Sequence, residues 1–210
     1  MAMNKRTTYR LIKRAFDLTA SAALLGLTAP LLAAVSAVVR MESKGSSIYI
    51  HERIGLDGKR IRVLKFRSMK AGSDDVEAVL TDEEVEAYYR EYKLKNDPRV
   101  TEIGRWLRRS SMDELPQLFN VLQGGMSLVG PRPVTAGELD FYTEDERQKL
   151  LSVKPGITGY WQINGRDNAT YESGKRQQME IWYAENASLL LDALIILKTP
   201  AAVIKGRGAY

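Results

Sequence analysis

Cysteine is absent from the 210-residue chain, and histidine occurs once, as His51. Without cysteine there are no disulfides, no thiolate zinc sites and no cysteine nucleophile. A lone histidine argues against a histidine-based triad and against a multi-histidine metal site. Any catalysis by this chain would therefore have to lean on carboxylates, on lysine and arginine, and on a hard, oxygen-preferring cation. Internal repeats and low-complexity linkers are also missing. The length suits one domain with a real core, or one domain plus an anchor.

Charge is missing from one long stretch. Leu18 to Val39 reads LTASAALLGLTAPLLAAVSAVV, which as a helix reaches roughly 33 Å, enough to cross a hydrocarbon core. The lack of polar residues argues against a soluble amphipathic helix, and the run is too long for a signal peptide. A buried core helix is the alternative. Basic residues flank both ends: Lys5, Arg6, Arg10, Lys13 and Arg14 before, Arg40, Lys44, Arg53, Lys59, Arg60 and Arg62 after. A spanning helix would leave one cluster on the wrong side. Pro30 sits near the middle, where it removes a backbone donor and favours a kink that Thr28 can help satisfy. A re-entrant helix-break-helix, kinked at Pro30 and returning to the same face, is preferred over a true span. The expected organisation is a basic segment and re-entrant helix over residues 1–45, then a catalytic domain over 46–210.

The net charge of +5 calls for an anionic partner: nucleic acid, an anionic membrane surface or a phosphorylated substrate. Residues 47–66 alternate around a Gly-Leu-Asp-Gly turn and predict a β-hairpin. Residues 74–95 predict an amphipathic helix or pair with solvated charges. Helices follow at 101–109 and 113–123, the latter ended by Gly124-Gly125. A short strand runs into the Gly-Pro-Arg-Pro turn of 126–133. A helix is expected at 136–151, a loop or short strand pair at 154–166, and helices at 171–185 and 187–205. The last is apolar but broken by Asp192, Lys198 and Pro200, so it either lies in a membrane interface or packs on the core. The fold class is α+β and mostly helical, with a small hairpin and several short amphipathic helices at the membrane interface.

The segment SMDELPQL, residues 111–118, holds adjacent carboxylates at Asp113 and Glu114. A capping box from Ser111 to Glu114 would put Pro116 where it removes an intrahelical hydrogen bond. With Asp113 as N-cap, Pro116 falls at N3, where the N–H is unpaired anyway. Capping alone explains Asp113. The same position also suits a nucleophile, because the helix N-terminus keeps the carboxylate ionised and attracts phosphate. Glu114 could then hold a divalent cation. Arg105, Arg108 and Arg109 lie just upstream and Arg132 downstream, and arginine clamps phosphoryl groups. His51 sits on an expected strand with no evident partner, and a structural role is assigned to it. Asp97 reads as a turn or cap residue as readily as a ligand.

Three segments, KFRSM (65–69), NDPRVTEIGRWLRRSSMDELPQLFNVLQGGMSLVGPRP (96–133) and VKPGITGYWQINGR (153–166), closely resemble the bacterial sugar transferases, the monotopic polyprenol-phosphate phosphoglycosyl transferases. The resemblance covers essentially the whole chain and fits a compact, catalytic-domain-only form. It implies transfer of a sugar 1-phosphate from a UDP-sugar to undecaprenyl phosphate at the cytoplasmic face of the inner membrane, with release of UMP. This would be the first membrane step of exopolysaccharide, capsule, O-antigen or glycoconjugate assembly. By the resemblance, Asp113 is the nucleophile of a ping-pong reaction with a covalent phosphosugar intermediate, and Glu114 coordinates Mg²⁺. Lys65, Arg108 and Arg132 fall at basic positions near the site, with Gln162 and Arg166 as further contacts to nucleotide or sugar. Pro30 matches the family's membrane kink, although Ala29 stands where some relatives carry serine. Partners implied are the UDP-sugar, undecaprenyl phosphate and membrane lipids, with a homo-oligomer left open and no nucleic acid. A catalytically silent, membrane-anchored scaffold is the alternative. The transferred sugar is not legible.

Overall fold

The structure, a computed structural model, describes residues 5–42, 45–165 and 169–204. It opens with one long helix, α1 (Lys5–Glu42), rich in the strong helix formers Ala and Leu. Pro30 lies inside this helix, so the expected two half-helices form a single continuous element. A proline deprives only the carbonyl four residues back, here Gly26, and the rest of the ladder persists. Thr28 Oγ1 donates to the Leu24 carbonyl at 2.7 Å, not to that of Gly26. This is a back-bond of the kind that bends helices without ending them.

The buried residues of α1 are Asp17, Ser21, Val35 and Val39, pairs four apart at the two ends of the apolar run. Nothing between residues 22 and 34 is buried, and Leu27 is 78% exposed. Both ends nonetheless pack on the same folded body. Lys13 Nζ and Tyr9 OH donate to Asp192 Oδ2 at 2.7 and 3.0 Å. Arg14 donates to the carbonyls of Val121 and Leu122 at 2.6 and 2.9 Å, and Asp17 accepts from the Leu128 N–H at 3.0 Å. At the other end Val35 and Val39 join Phe66 and Leu107 in one apolar cluster.

The expected hairpin forms from β1 (Ile48–Ile54) and β2 (Arg60–Phe66), antiparallel, with Tyr49 opposite Lys65 and His51 opposite Val63. Its turn places Asp57 and Gly58 at φ 55° and 74°, the left-handed geometry that Asp-Gly favours. Helices α2 (Val76–Val79) and α3 (Asp82–Glu91) supply the amphipathic pair, and α4 (Glu102–Ser110) and α5 (Gln117–Gln123) flank the acidic segment. Val63 of β2 packs with Val121 of α5 and Met126.

Two further sequence expectations need correcting. Residues 136–151 do not form one helix. A 3₁₀ turn spans Gly137–Phe141 and α6 (Glu144–Leu150) starts afresh, because Thr143 and Glu146 make a capping box that fixes a new N-terminus. The described part of 154–166, up to residue 165, combines a strand and a helix. Strand β4 (Gly156–Thr158) pairs in parallel with β3 (Ser127–Val129), and α7 (Tyr160–Asn164) follows. The chain closes with α8 (Lys175–Asn186) and α9 (Leu189–Ile204). Helix α9 packs on the core along one face and leaves the other exposed. Asp192 and Ile195 are buried, while Leu190 and Leu197 are 73% and 76% exposed.

The β3–β4 pair depends on close backbone approach. A Cβ on Gly156 would lie 2.0 Å from the Gly130 nitrogen, and one on Gly130 would lie 2.3 Å from the Lys154 carbonyl oxygen. Neither neighbour is a movable side-chain tip. Gly130→Ala and Gly156→Ala should each lower unfolding stability by about 3 kcal/mol, read from chemical denaturation. Gly58→Ala, where a Cβ meets open space, should cost only about 1 kcal/mol through its positive φ.

Candidate active site

The acidic pair is positioned by a change of helix type. Helix α4 is capped by Thr101, whose Oγ1 accepts from the Gly104 N–H at 2.9 Å, and it ends at Ser111 with φ 56°. A 3₁₀ turn, Met112–Glu114, follows directly. Pro116 then immediately precedes α5. Asp113 is therefore not a helix N-cap, and the expected register is corrected. The chain advances through bonds from Leu115 N–H to Met112, Leu118 N–H to Leu115 and Phe119 N–H to Pro116, so the regular helix begins only after the proline. The charge state of Asp113 must be argued from its neighbours rather than from a helix dipole.

Those neighbours are the basic residues singled out in the sequence. Lys65 Nζ lies 3.1 Å from Glu114 Oε1, and Arg132 Nη1 lies 3.6 Å from the same oxygen. Arg132 is held in the turn after β3, its backbone N–H donating to Glu180 at 3.2 and 3.3 Å. Arg108 Nε donates to Ser68 Oγ at 2.9 Å. That contact exists because Gly104, one turn earlier, lets α4 touch the next strand exit: a Cβ there would sit 2.0 Å from the Ser68 carbonyl oxygen. Asp113, Glu114, Lys65, Arg108 and Arg132 all line one cleft of about 340 Å³. Gln162 lines an adjoining recess with Lys65, Glu114 and Arg132, and its Oε1 is buried without a hydrogen-bond partner. Arg166 lies outside the described residues, and Pro30 belongs to α1, outside the residues that line the cleft.

Asp113 is 7% exposed. Burial, reinforced by the charge of Glu114, pushes its carboxyl up to about 6 against the opposing pull of Lys65, Arg108 and Arg132. Burial also lowers the Lys65 ammonium, which Glu114 partly restores. Arg132 loses to burial and gains more from Glu114 and Glu138, so its net shift is upward.

Several cleft residues escaped the sequence reading. Tyr49, His51 and Arg53 alternate along β1 and all line the cleft, a period-two signal visible in the sequence once the hairpin face is chosen. His51, expected to be without a partner, has its Nδ1 3.2 Å from Arg53 Nη2. Arg53 is ion-paired with the buried Glu138, and Glu138 accepts from Tyr171 OH at 3.1 Å and the Thr135 N–H at 2.7 Å. Arg176 is sandwiched between Trp161 and Tyr171, at 4.4 and 4.0 Å from their ring centres. Asp97 is a structural partner rather than an isolated cap: it grips Arg99 through 2.9 and 2.7 Å bonds, with both side chains almost wholly buried. Long sequence separations hid the Arg53–Glu138 and Tyr171–Glu138 pairs.

Among the described residues no three His, Cys, Asp or Glu side chains converge to hold a metal. The Asp113–Glu114 pair fits a cation that takes one or two carboxylates and completes its shell with water and substrate phosphate oxygens, the habit of Mg²⁺. It does not fit a metal needing an all-protein cage.

Residues 8–206 match the family described as bacterial sugar transferase. The chain is 45% identical over 204 residues to a UDP-galactose-lipid carrier transferase of Erwinia amylovora, covering 96% of this chain and 42% of that protein. It is 43% identical over 204 residues to an undecaprenyl-phosphate galactose phosphotransferase of Salmonella typhimurium, with the same coverage. It is also 41% identical over 201 residues to the exopolysaccharide production protein ExoY of Rhizobium meliloti, covering 94% of this chain and 88% of that one. The chain thus spans less than half the length of the first two and most of the third.

The raised Asp113 value carries a stability consequence. Between the unfolded and folded values the native state binds the extra proton, so stability is lost as pH rises toward about 6 and stays lower above it. Asp113→Asn removes that burden and should stabilise the protein at pH 8 by on the order of 2 kcal/mol. The gain should shrink toward zero near pH 4, as measured by denaturation at both pH values.

Proposed function

The chain belongs to the bacterial sugar transferase family, and from that premise we propose that it transfers a sugar 1-phosphate from a UDP-sugar to undecaprenyl phosphate. UMP and a polyprenyl diphosphate sugar are the products, at the first membrane step of extracellular glycan assembly. The observation that carries this reading is the buried Asp113 beside Glu114, ringed by Lys65, Arg108 and Arg132 in one cleft. Adjacent carboxylates set among cations suit phosphoryl chemistry. They do not suit glycoside hydrolysis, where two acids face each other across the bond.

Lys65, Arg108 and Arg132 bind the diphosphate oxygens and orient the β-phosphorus toward Asp113. The Asp113 carboxylate forms a bond to that phosphorus as the bond to the bridging oxygen breaks, and UMP leaves. A phosphate oxygen of the lipid acceptor then attacks the same phosphorus, and the Asp113 carboxylate departs unchanged. Glu114 steadies Lys65 and Arg132 through the oxygen that both approach. Glu114 would also hold Mg²⁺, which when bound supplies further charge neutralisation at the phosphate oxygens. Gln162, with its unpaired buried Oε1, is positioned to accept a hydrogen bond from the substrate.

The apolar length of α1 and the exposed leucines of α9 fit a protein docked on the cytoplasmic face of the inner membrane. Residues 9–17 and 35–39 of α1 pack on one folded body, and that favours a helix that enters and leaves the bilayer on the same side as the domain. Cysteines introduced at the exposed positions Arg10 and Met41, in a chain with none of its own, should both be labelled from the cytoplasmic side. Labelling from opposite sides would overturn the re-entrant arrangement.

Mixing enzyme with a UDP-sugar and Mg²⁺, and no lipid, should release about one UMP per active site. The burst rate should fall as pH is lowered far enough to protonate Asp113, about tenfold per pH unit once past that point. Asp113→Asn should lower turnover at least 10³-fold, and a variant turning over near the wild-type rate would remove Asp113 as nucleophile.

A further inference from the structure

His51 is the chain's sole histidine, and the reaction proposed above gives it no task. It stands in the middle of the row Tyr49, His51, Arg53 along β1, with all three side chains lining the cleft. Its Nδ1 is 3.2 Å from Arg53 Nη2. A guanidinium has donors only, so Nδ1 must accept and cannot carry a proton. The proton of the neutral ring is thereby fixed on Nε2. Arg53 is itself pinned by Glu138 and by the Pro133 carbonyl at 3.3 Å, so the restraint on the ring is rigid. Tyr49 packs edge-on against the other flank, with ring centres 5.7 Å apart. Nε2 has no hydrogen-bond partner among the described residues.

Burial, then the nearby charges of Arg53, Lys65 and Arg132, hold the imidazole down to about 3 against the opposing charge of Glu138. The ring is therefore neutral at any physiological pH. An imidazolium would need to donate from Nδ1 into the face of Arg53, and Nε2 cannot accept a proton while it carries one. General-base and metal-ligand roles at Nε2 are excluded on the same ground. What remains is a fixed, uncharged N–H donor in a cleft whose phosphate-binding work is already assigned to Lys65, Arg108 and Arg132.

We propose that His51 is a substrate-recognition residue of this cleft, its Nε2–H donating to an uncharged oxygen of the nucleotide sugar. That oxygen is either a carbonyl or hydroxyl of the nucleoside or a hydroxyl of the transferred sugar. The assignment rests on the transferase reading, and it adds a neutral contact that discriminates among ligands where the cations hold any phosphate.

A single histidine makes the test unambiguous. The full chain in detergent, labelled with ¹⁵N-histidine, should give one imidazole, with Nε2 protonated and Nδ1 bare, and it should not titrate from pH 8 to 5. The Nε2 signal should move on adding UMP if the nucleoside supplies the oxygen, or only on adding UDP-galactose or UDP-glucose if the sugar does. Inorganic pyrophosphate should leave it in place. His51→Leu should raise KM for the nucleotide sugar about tenfold, and His51→Gln, which keeps an N–H donor, by less than about threefold. The reverse tautomer, an equal response to pyrophosphate, or a UMP burst without movement of the signal would overturn the proposal and leave the transferase reading intact. Absence of both the burst and the movement would remove the two together.

Discussion

Everything around the cleft answers to one electrostatic constraint: Asp113 is buried beside another carboxylate and must still be able to ionise. Alone, that combination would keep the carboxyl neutral well above its ordinary range. Three cations, Lys65, Arg108 and Arg132, hold the value near 6 instead of higher. They act as a set because Glu114 draws two of them to one oxygen. Neither carboxylate is thus redundant. Glu114 raises the cost of charging Asp113, and it also places the cations that lower that cost. The result is a carboxyl held near 6, ionised above that pH but only weakly stabilised as an anion.

A second layer of charges keeps that arrangement from collapsing into simple pairs. Arg132 is tied by its backbone N–H to Glu180, whose own carboxyl is pushed up to about 7 by burial. Glu138 is shared by Arg53 and Arg176, with Arg176 stacked between aromatic rings. Buried ionic networks of this kind contribute little net stability, and removing one member leaves an uncompensated charge. Their evident value here is positional. They fix the guanidinium of Arg53, and through it the tautomer of His51, without adding free charge to the site.

How much of this was legible before the structure depends on sequence distance. The hairpin, the pair of amphipathic helices and the long apolar segment announce themselves through period, turn chemistry and absence of charge, and they form close to where expected. The acidic pair and its basic neighbours were also readable, because residue type alone limits what they can do. The helix register was not. The choice of Asp113 as cap assumed that a regular helix starts at the first residue compatible with Pro116, whereas a left-handed Ser111 and a 3₁₀ turn came first. The second layer was invisible for another reason. Arg53 and Glu138 are 85 residues apart, and Tyr9 and Asp192 are 183 apart. No local pattern marks either pair.

The apolar helix α1 touches both helices that bracket the acidic turn. Arg14 donates to the Val121 and Leu122 carbonyls in the last turn of α5, where the end of a helix leaves carbonyl capacity unused. Val35 and Val39 pack against Leu107 near the end of α4. The turn holding Asp113 and Glu114 is thus suspended between two short helices, each fastened to a different part of α1. On the proposed reading, a lipid acceptor whose phosphate sits at the surface of a bilayer would meet Asp113 only at that boundary. Fastening α4 and α5 to α1, the element with the length and apolarity to enter a bilayer, would then set the height of Asp113 there. On this view α1 is as much a part of the site's geometry as the cations are.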